Sequence, residues 1–380
     1  MNRTIDLGEL IELRRDKVTL DPLDRYKLVT IRMNNKGITQ REEKLGSEVS
    51  SNSYLAKKGQ FLCSKIDARN GAFGILPDYL DGSIVTNDFL TFDVNNDLVL
   101  TDFLEFYSNT YAFNQACKNA SEGSTNRKRL KVDKFYEIPI PFPEKEVQQK
   151  VIAIVNGVSQ KNNDIRQLKN QQLEDIDNLL YSTYVDLKRD CPTEKMRIVA
   201  PITRRPVEVE TEDDYPEMGI RSFGKGTFHK PSLKGIDVGT KKLFYIKSGD
   251  LMFSNVFAWE GAIAVATEED NDRVGSHRFI SCVPDHQKVL PHYLCFHFLS
   301  PKGMENIRKA SPGGAGRNKT LGLTKLENIE VPIPPLDKQR EFEELLEKTR
   351  QMKAHIAASQ QELDELLPAL LDKAFKGELV

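Results

Sequence analysis

Lys57-Lys58-Gly59-Gln60-Phe61-Leu62-Cys63-Ser64 and Lys247-Ser248-Gly249-Asp250-Leu251-Met252-Phe253-Ser254 are two versions of one run, 190 positions apart. At the same offset Ala68 meets Ala258, Gly71-Ala72 meets Gly261-Ala262, Phe89 meets Phe279, and Phe103-Leu104 meets Tyr293-Leu294. Upstream the offset is 189, which sets Ile31-Arg32 over Ile220-Arg221 and Lys36-Gly37 over Lys225-Gly226. Downstream, Ala120-Ser121 and Gly123 meet Ala310-Ser311 and Gly313. The match closes at offset 193, where Ile138-Pro139-Ile140-Pro141 meets Val331-Pro332-Ile333-Pro334. A period this long is not that of a stacked solenoid. It implies two copies of one domain-plus-helix unit.

The repeat divides the chain into a globular domain over 1–143, a long helix over 144–190, a second domain over 191–336 and a second long helix over 337–380. The domains read as mixed α/β (α+β). Short β-like runs recur at Leu28 to Ile31, Gly59 to Ser64, Phe89 to Phe92, Ala262 to Ala266 and Arg278 to Val283, separated by Gly and Asn/Asp clusters. One helix is expected over Asp102 to Lys118 and its partner over His292 to Lys309. Proline lacks an N–H and restricts the residue before it, so the Pro-rich boundaries should be extended. Helical periodicity follows each boundary. Val151, Ile154, Val158, Ile165 and Leu168 form an a/d seam, which Leu173, Ile176 and Leu180 continue with a phase shift. In the second helix Phe342, Thr349, Ile356, Leu363 and Leu370 recur every seven residues, with Leu345, Met352, Ser359 and Leu366 between them. Two such helices can pair with each other as rods of roughly 45–50 Å. Pro368 is expected to kink or restart the second.

The chain has 380 residues, 19 Phe, 11 Tyr and 39% apolar residues, enough for two cores. No run of about 18 apolar residues is present, so no membrane span is expected. The start, Met1 to Asp6, has no apolar signal core, and the five cysteines include no C-x-x-C pair. A reducing cytoplasm fits both features. The formal net charge of -2 argues against a protein that coats DNA. Split by the repeat, however, the domains carry 0 and +2 and the helices -1 and -3, so positive charge is local.

The ordered, duplicated set resembles the specificity subunit of type I restriction-modification systems. The resemblance rests on the two lysine-glycine runs and on the Ile-Pro-Ile-Pro and Val-Pro-Ile-Pro hinges. It also rests on the helix starts Glu146-Val147-Gln148-Gln149-Lys150 and Asp337-Lys338-Gln339-Arg340-Glu341, and on the tail Leu366 to Leu379. It covers nearly the whole chain. It implies two target-recognition domains separated by long helices that form an antiparallel coiled coil. It further implies a non-catalytic reader of double-stranded DNA with a bipartite, asymmetric target, one half-site per domain. Two DNA methyltransferase subunits would dock on it, and restriction/translocase subunits would add to that core. S-adenosylmethionine, ATP and Mg would belong to those partners, with no cofactor in this chain. Two other classes remain: a divergent restriction or modification enzyme with its own site, and a coiled-coil adaptor that binds only protein.

Candidate DNA contacts in the first domain are Arg32, Asn34, Asn35 and Lys36; Lys65, Asp67, Arg69 and Asn70; Asn87 and Asp88; and Asn126, Arg127, Lys128, Arg129 and Lys131. Lys and Arg neutralise phosphates, and Asn and Arg can pair with adenine or guanine edges. The cationic run is matched by Gly313 to Thr320, which contains Arg317, Asn318 and Lys319; this weakens the alternative of a merely solvated loop. Counterparts in the second domain are Arg221, Lys225, His229, Asn255, Ser276, His277 and Arg278. Trp259, the sole tryptophan, fits either a core position or a DNA contact.

Two patterns are set aside. Gly313 to Thr320 approaches a phosphate-binding loop, but Asn318 takes the place of the second glycine. Cys282, His286, His292, Cys295 and His297 have no standard zinc spacing, so no metal is expected. No methyltransferase or nuclease motif is legible.

Half-sites one helical turn apart lie roughly 34–36 Å apart, the same order as the rods. Deleting one heptad from the first long helix should therefore shorten the gap in the methylated target and leave both half-sites unchanged. Methylome sequencing checks this; altered half-sites with an unchanged gap would contradict it.

Overall fold

The computed structural model describes residues 3–49, 52–123, 128–313 and 319–379. The chain forms two compact units, Met1–Lys169 with Ile356–Val380, and Asn170–His355. The two long helices, Lys145–Leu187 and Leu336–Phe375, each contribute to both units. At 43 and 40 residues they are about 64 and 60 Å long, longer than the periodicity alone suggested.

In the first unit, strands Ile11–Arg14, Phe89–Val94, Phe61–Ser64 and Phe73–Ile75 form one antiparallel sheet in that order. A second sheet orders Ile38–Leu45, Arg25–Ile31, Ser83–Thr86 and Ser53–Ala56, with a parallel bridge at Leu28–Ile84. The opening motif explains how the sheets join. Gly59 adopts a left-handed turn (φ 76°), and the Gln60 side chain closes it by accepting the Lys57 amide at 2.8 Å. The strand that follows is buried at all four residues because both faces are covered. Phe61 and Cys63 enter a core with Phe73, Phe92, Phe103, Phe113 and Phe135, while Leu62 enters a second core with Val29, Ile38 and Val85.

The second unit repeats this plan. Gly249 turns at φ 84°, and Asp250 takes the part of Gln60 by accepting the Lys247 amide at 3.1 Å. Asp250 is buried and is held by both terminal nitrogens of Arg205, at 2.6 and 3.0 Å. Strand Leu251–Ser254 lies between Ile263–Val265 and Phe279–Cys282. Each Pro-rich hinge is extended, as its prolines dictate, and pairs with the start of its own domain. Thr4–Asp6 runs against Pro139–Pro141, and Thr193–Lys195 against Glu330–Pro332.

Three expectations need correction. The domain helix is broken in both copies. Thr101–Ser108 is followed by Tyr111–Asn119, where Thr110 Oγ1 caps the new start by accepting the Phe113 amide at 3.3 Å. Pro291–Leu299 is followed by Pro301–Ala310, capped by Ser300. Proline at the first position of a helix pre-sets its dihedral without losing a bond. Second, the helix is not restarted at Pro368, which lies inside one helix that continues to Phe375.

Third, the seam is displaced. Val151, Val158, Phe342, Leu345, Ile356 and Leu363 are buried or half-buried, but Ile154, Ile165, Leu168, Met352 and Leu366 are exposed. The packed stripe instead takes in Val155 and polar residues. In the first unit Asn162 donates to the Leu363 carbonyl at 3.0 Å, Arg166 pairs with Asp364, and Lys169 meets Ser359. In the second unit Lys353 pairs with Asp177. These bonds run between antiparallel helix segments. The face is set by docking onto the domain rather than by an unbroken apolar repeat. In the first unit Phe375 packs 5.0 Å from Phe103 and 5.1 Å from Tyr107. In the second, Tyr184 Oη lies 2.6 Å from His297 Nδ1, with Tyr184 and Phe342 both on Phe296.

A buried glutamine ties each long helix to its domain. Gln148 Oε1 accepts the amide of Leu100 at 2.8 Å, and its Nε2 donates to the carbonyls of Leu98 and Pro143 at 3.3 and 3.0 Å. Gln339 repeats all three bonds, accepting from Leu290 at 2.8 Å and donating to Lys288 and Pro334 at 3.0 and 2.7 Å. Both glutamines are fully buried. Gln339→Leu would strand three backbone groups and should cost about 3 kcal/mol. In thermal melts this appears as a loss of roughly 6–12 °C. Gln149→Leu, at an exposed neighbour, should change little; equal losses from the two would refute the latch.

Candidate nucleic-acid interface

In each unit most of the candidate residues sit on loops that backbone hydrogen bonds tie into one surface, while His229, Ser276 and Arg129 lie in the strands Thr227–Lys234, Val274–Ser276 and Arg129–Leu130. In the first unit the hairpin tip between Ile31 and Ile38 is closed by Arg32 N–H donating to the Gly37 carbonyl at 2.9 Å. The tip is clamped to a second loop, with Asn34 and Asn35 amides donating to Asn70 and Gly71 at 2.7 and 3.0 Å. That second loop begins at Lys65, whose amide donates to Asp88 at 2.8 Å and whose carbonyl accepts from Leu130 at 2.7 Å. The segments holding Arg32 to Lys36, Lys65 to Asn70, Asn87-Asp88 and Lys128 to Lys131 are thereby brought together.

The second unit reproduces the pattern bond for bond. Arg221 closes its tip on Gly226 at 2.9 Å, and Phe223 and Gly224 amides donate to Glu260 and Gly261 at 2.9 and 2.8 Å. Asn255 donates to Arg278 at 2.7 Å and accepts from Leu321 at 2.8 Å. The backbone frame is therefore shared while its side chains differ.

Individual candidates face different ways. Arg32, Asn34, Lys36, Asn70, Asn87, Arg129, Lys131, Lys225, His277 and Arg278 are exposed, while Arg69, Lys128 and Ser276 are half-buried. Asn35 turns inward and donates to the Asn109 carbonyl at 3.1 Å. Asp67 accepts from the Asn70 side chain at 3.2 Å. Arg129 pairs with Asp88 at 3.2 Å, with both side chains about half exposed, so this pair adds little to stability. Burial holds the Lys65 ammonium below its usual range, assisted by Arg15 and, more weakly, Arg129. A positive site of this kind favours an anion. Arg221 caps the Thr227 carbonyl and lies over the Phe228 ring.

His229 bonds to Asp270 at 2.9 Å, and Thr227 and Thr267 hydroxyls also donate to that carboxylate, at 2.9 and 3.0 Å. Burial pushes Asp270 up, but these bonds and the Thr267 amide outweigh it and keep the carboxyl below its ordinary range. His229 is therefore committed to the fold at one nitrogen. Trp259 is half-buried, donates to the Val256 carbonyl at 2.9 Å, and carries the Lys319 ammonium 4.8 Å from its ring. Asn126, Arg127, Arg317 and Asn318 lie outside the described residues, as does most of the loop that approaches a phosphate-binding motif.

Among the described residues no three His, Cys, Asp or Glu side chains converge as metal ligands. Burial pushes the Cys295 thiol up to about 12, and that of Cys282 higher still. Burial, with Lys188 nearby, lowers His297 to about 4, so it is neutral where it meets Tyr184. The exposed apolar tips Met33 and Phe223 lie outside the polar and charged candidates, although the repeat aligns Phe223 with Asn34.

The frame, built twice on paired helices, is that of a duplicated recognition module. The family model described as type I restriction modification DNA specificity domain matches residues 3–175 and again 200–365. The chain belongs to this family. It is 27% identical over 129 residues to the type I restriction enzyme HindI specificity subunit of Haemophilus influenzae, a match covering 34% of this chain and 28% of that protein. It is 25% identical over 154 residues to the putative type I restriction enzyme MjaX specificity subunit of Methanocaldococcus jannaschii, covering 40% and 33%. These matches thus span about a third of each relative. The HsdS subunit from Thermoanaerobacter tengcongensis shares the fold with a TM-score of 0.62 at 19% identity, over 99% of this chain and 97% of that one. A chain from a structure describing complex assembly and conformational transition of the type I R-M system gives 0.72 at 19%, over 99% and 98%.

Lys128→Ala and Lys131→Ala should each reduce the slope of log affinity against log salt by roughly 0.9 if each neutralises one phosphate. Binding titrations of the assembled complex between low and moderate salt check this. An unchanged slope would take both lysines out of the interface.

Proposed function

We propose that this chain is the DNA-sequence-specifying subunit of a type I restriction-modification complex. It reads a bipartite, asymmetric target in double-stranded DNA, one half-site per unit. The observation that carries this reading is the loop frame built twice with the same backbone bonds and different side chains. A duplicated scaffold with divergent tips suits two unlike half-sites.

The long helices support docking of two DNA methyltransferase subunits, because apolar side chains are exposed on them, among them Ile165, Leu168 and Leu179. Restriction/translocase subunits would join that core. This chain carries recognition and no bond-making step. S-adenosylmethionine, ATP and Mg act in the partner subunits. The complex works in the cytoplasm, which suits five free cysteines. No described helix is long and apolar enough to cross a membrane.

Methylome sequencing of a host carrying this chain with its methyltransferase should reveal one interrupted, asymmetric motif that disappears without the chain. Replacing residues 1–143 with the first domain of another family member should change one half of that motif only. A motif unaffected by loss of the chain would contradict the reading, as would methylation or cleavage by the purified chain alone.

A further inference from the structure

Phe223 stands out at the hairpin tip of the second unit. Its backbone is left-handed, with φ 63°, and its side chain is 74% exposed. For a bulky residue that conformation is an outlier. It is imposed by the frame, since the Phe223 amide donates to Glu260 and the next amide to Gly261. The same tip in the first unit holds Asn34 at φ 60°, a residue type that tolerates the conformation. Gly224 and Gly226 beside Phe223 are left-handed too, and they are the residue type suited to it. The second unit thus sets an aromatic ring where the backbone disfavours it and where water surrounds it. Strain of this kind is retained where it serves a contact.

The surroundings indicate the contact. Lys225 lies beside the ring, its ammonium 5.9 Å from the centroid, while Arg221, two residues earlier, turns to the Thr227 carbonyl and the Phe228 ring. The loop is clamped to the one that carries Trp259 and that begins at Asn255, bonded to Arg278. A projecting ring beside an exposed cation, on a frame shared with the polar tip Asn34, matches a base contact placed next to a phosphate contact.

Resting on the DNA-reading function above, we propose that Phe223 is a specificity-determining residue of the second unit, making an apolar contact with a base of its half-site. Two forms share this chemistry: packing on a thymine methyl, and wedging into a base step.

The test uses the complete complex of this chain with its methyltransferase subunits, methylating DNA randomised across both half-sites. Phe223→Asn should reduce preference at one base pair, or one step, of one half-site by about tenfold, while the other half-site is read as before. Phe223→Leu should keep part of that preference. The Asn variant should melt no lower than wild type, because it relieves the backbone. Uracil in place of thymine reproduces the loss if the methyl is read. 2-Aminopurine fluorescence rises on binding if the ring wedges into a step. Neither response, or unchanged preference at both half-sites, overturns the proposal. Loss of subunit assembly with base preference intact also overturns it, since Phe223 borders a groove with Leu299, Met304 and Leu346 that could take a protein segment. A wild-type complex with no sequence preference would instead refute the DNA-reading function itself.

Discussion

Two buried glutamines set the geometry on which the rest depends. A glutamine amide offers one acceptor oxygen and two donor hydrogens, and Gln148 and Gln339 each spend them on three backbone groups that would otherwise be stranded. Each bonds the carbonyl of a hinge proline, the loop before the domain helix and the amide that opens that helix. A hydrophobic side chain could fill the space but would not fix the three distances together. The start of the long helix is thereby set relative to its own domain, and the loop frame of that domain is built on the same core.

Above this shared base the units diverge where substitution is tolerated. The lysine-glycine turn is closed by Gln60 in one unit and by Asp250, neutralised by Arg205, in the other. At the position aligned with the apolar Leu80, the second unit buries Asp270 and satisfies it with Thr227, His229 and Thr267. Such changes preserve the backbone because every buried charge gains partners. At the hairpin tip Arg32 and Lys36 recur as Arg221 and Lys225, while the residues between them change from Met33-Asn34-Asn35 to Ser222-Phe223-Gly224.

Much of this was legible in the chain. The duplication, the hinges and the existence of two long helices followed from aligned residues and from proline chemistry. The break in each domain helix was missed because apolar periodicity runs across it, though Ser300-Pro301 is a start signal. The seam was misplaced because Ile165 and Leu168 are apolar yet exposed, whereas Asn162 is buried through a bond to a backbone carbonyl. Periodicity registers hydrophobicity and is blind to polar groups that bond across a helix pair, as Asn162 does. Among the site residues, loop membership could be read from the repeat, but orientation could not. Asn35 and His229 turn to partners within the fold, and Phe223 carries no polar group by which its sequence position signals a contact.

The most direct measurement of the central claim is photo-crosslinking of the assembled complex to its own target, with bromodeoxyuridine placed in turn through each half-site. The account requires peptides from the loops around Arg32 to Lys36, Lys65 to Asn70 and Asp88 to crosslink to one half-site. Those around Arg221 to Gly226, Asn255 to Glu260 and Arg278 should crosslink to the other. Crosslinks confined to the long helices, or to one unit from both half-sites, would contradict it.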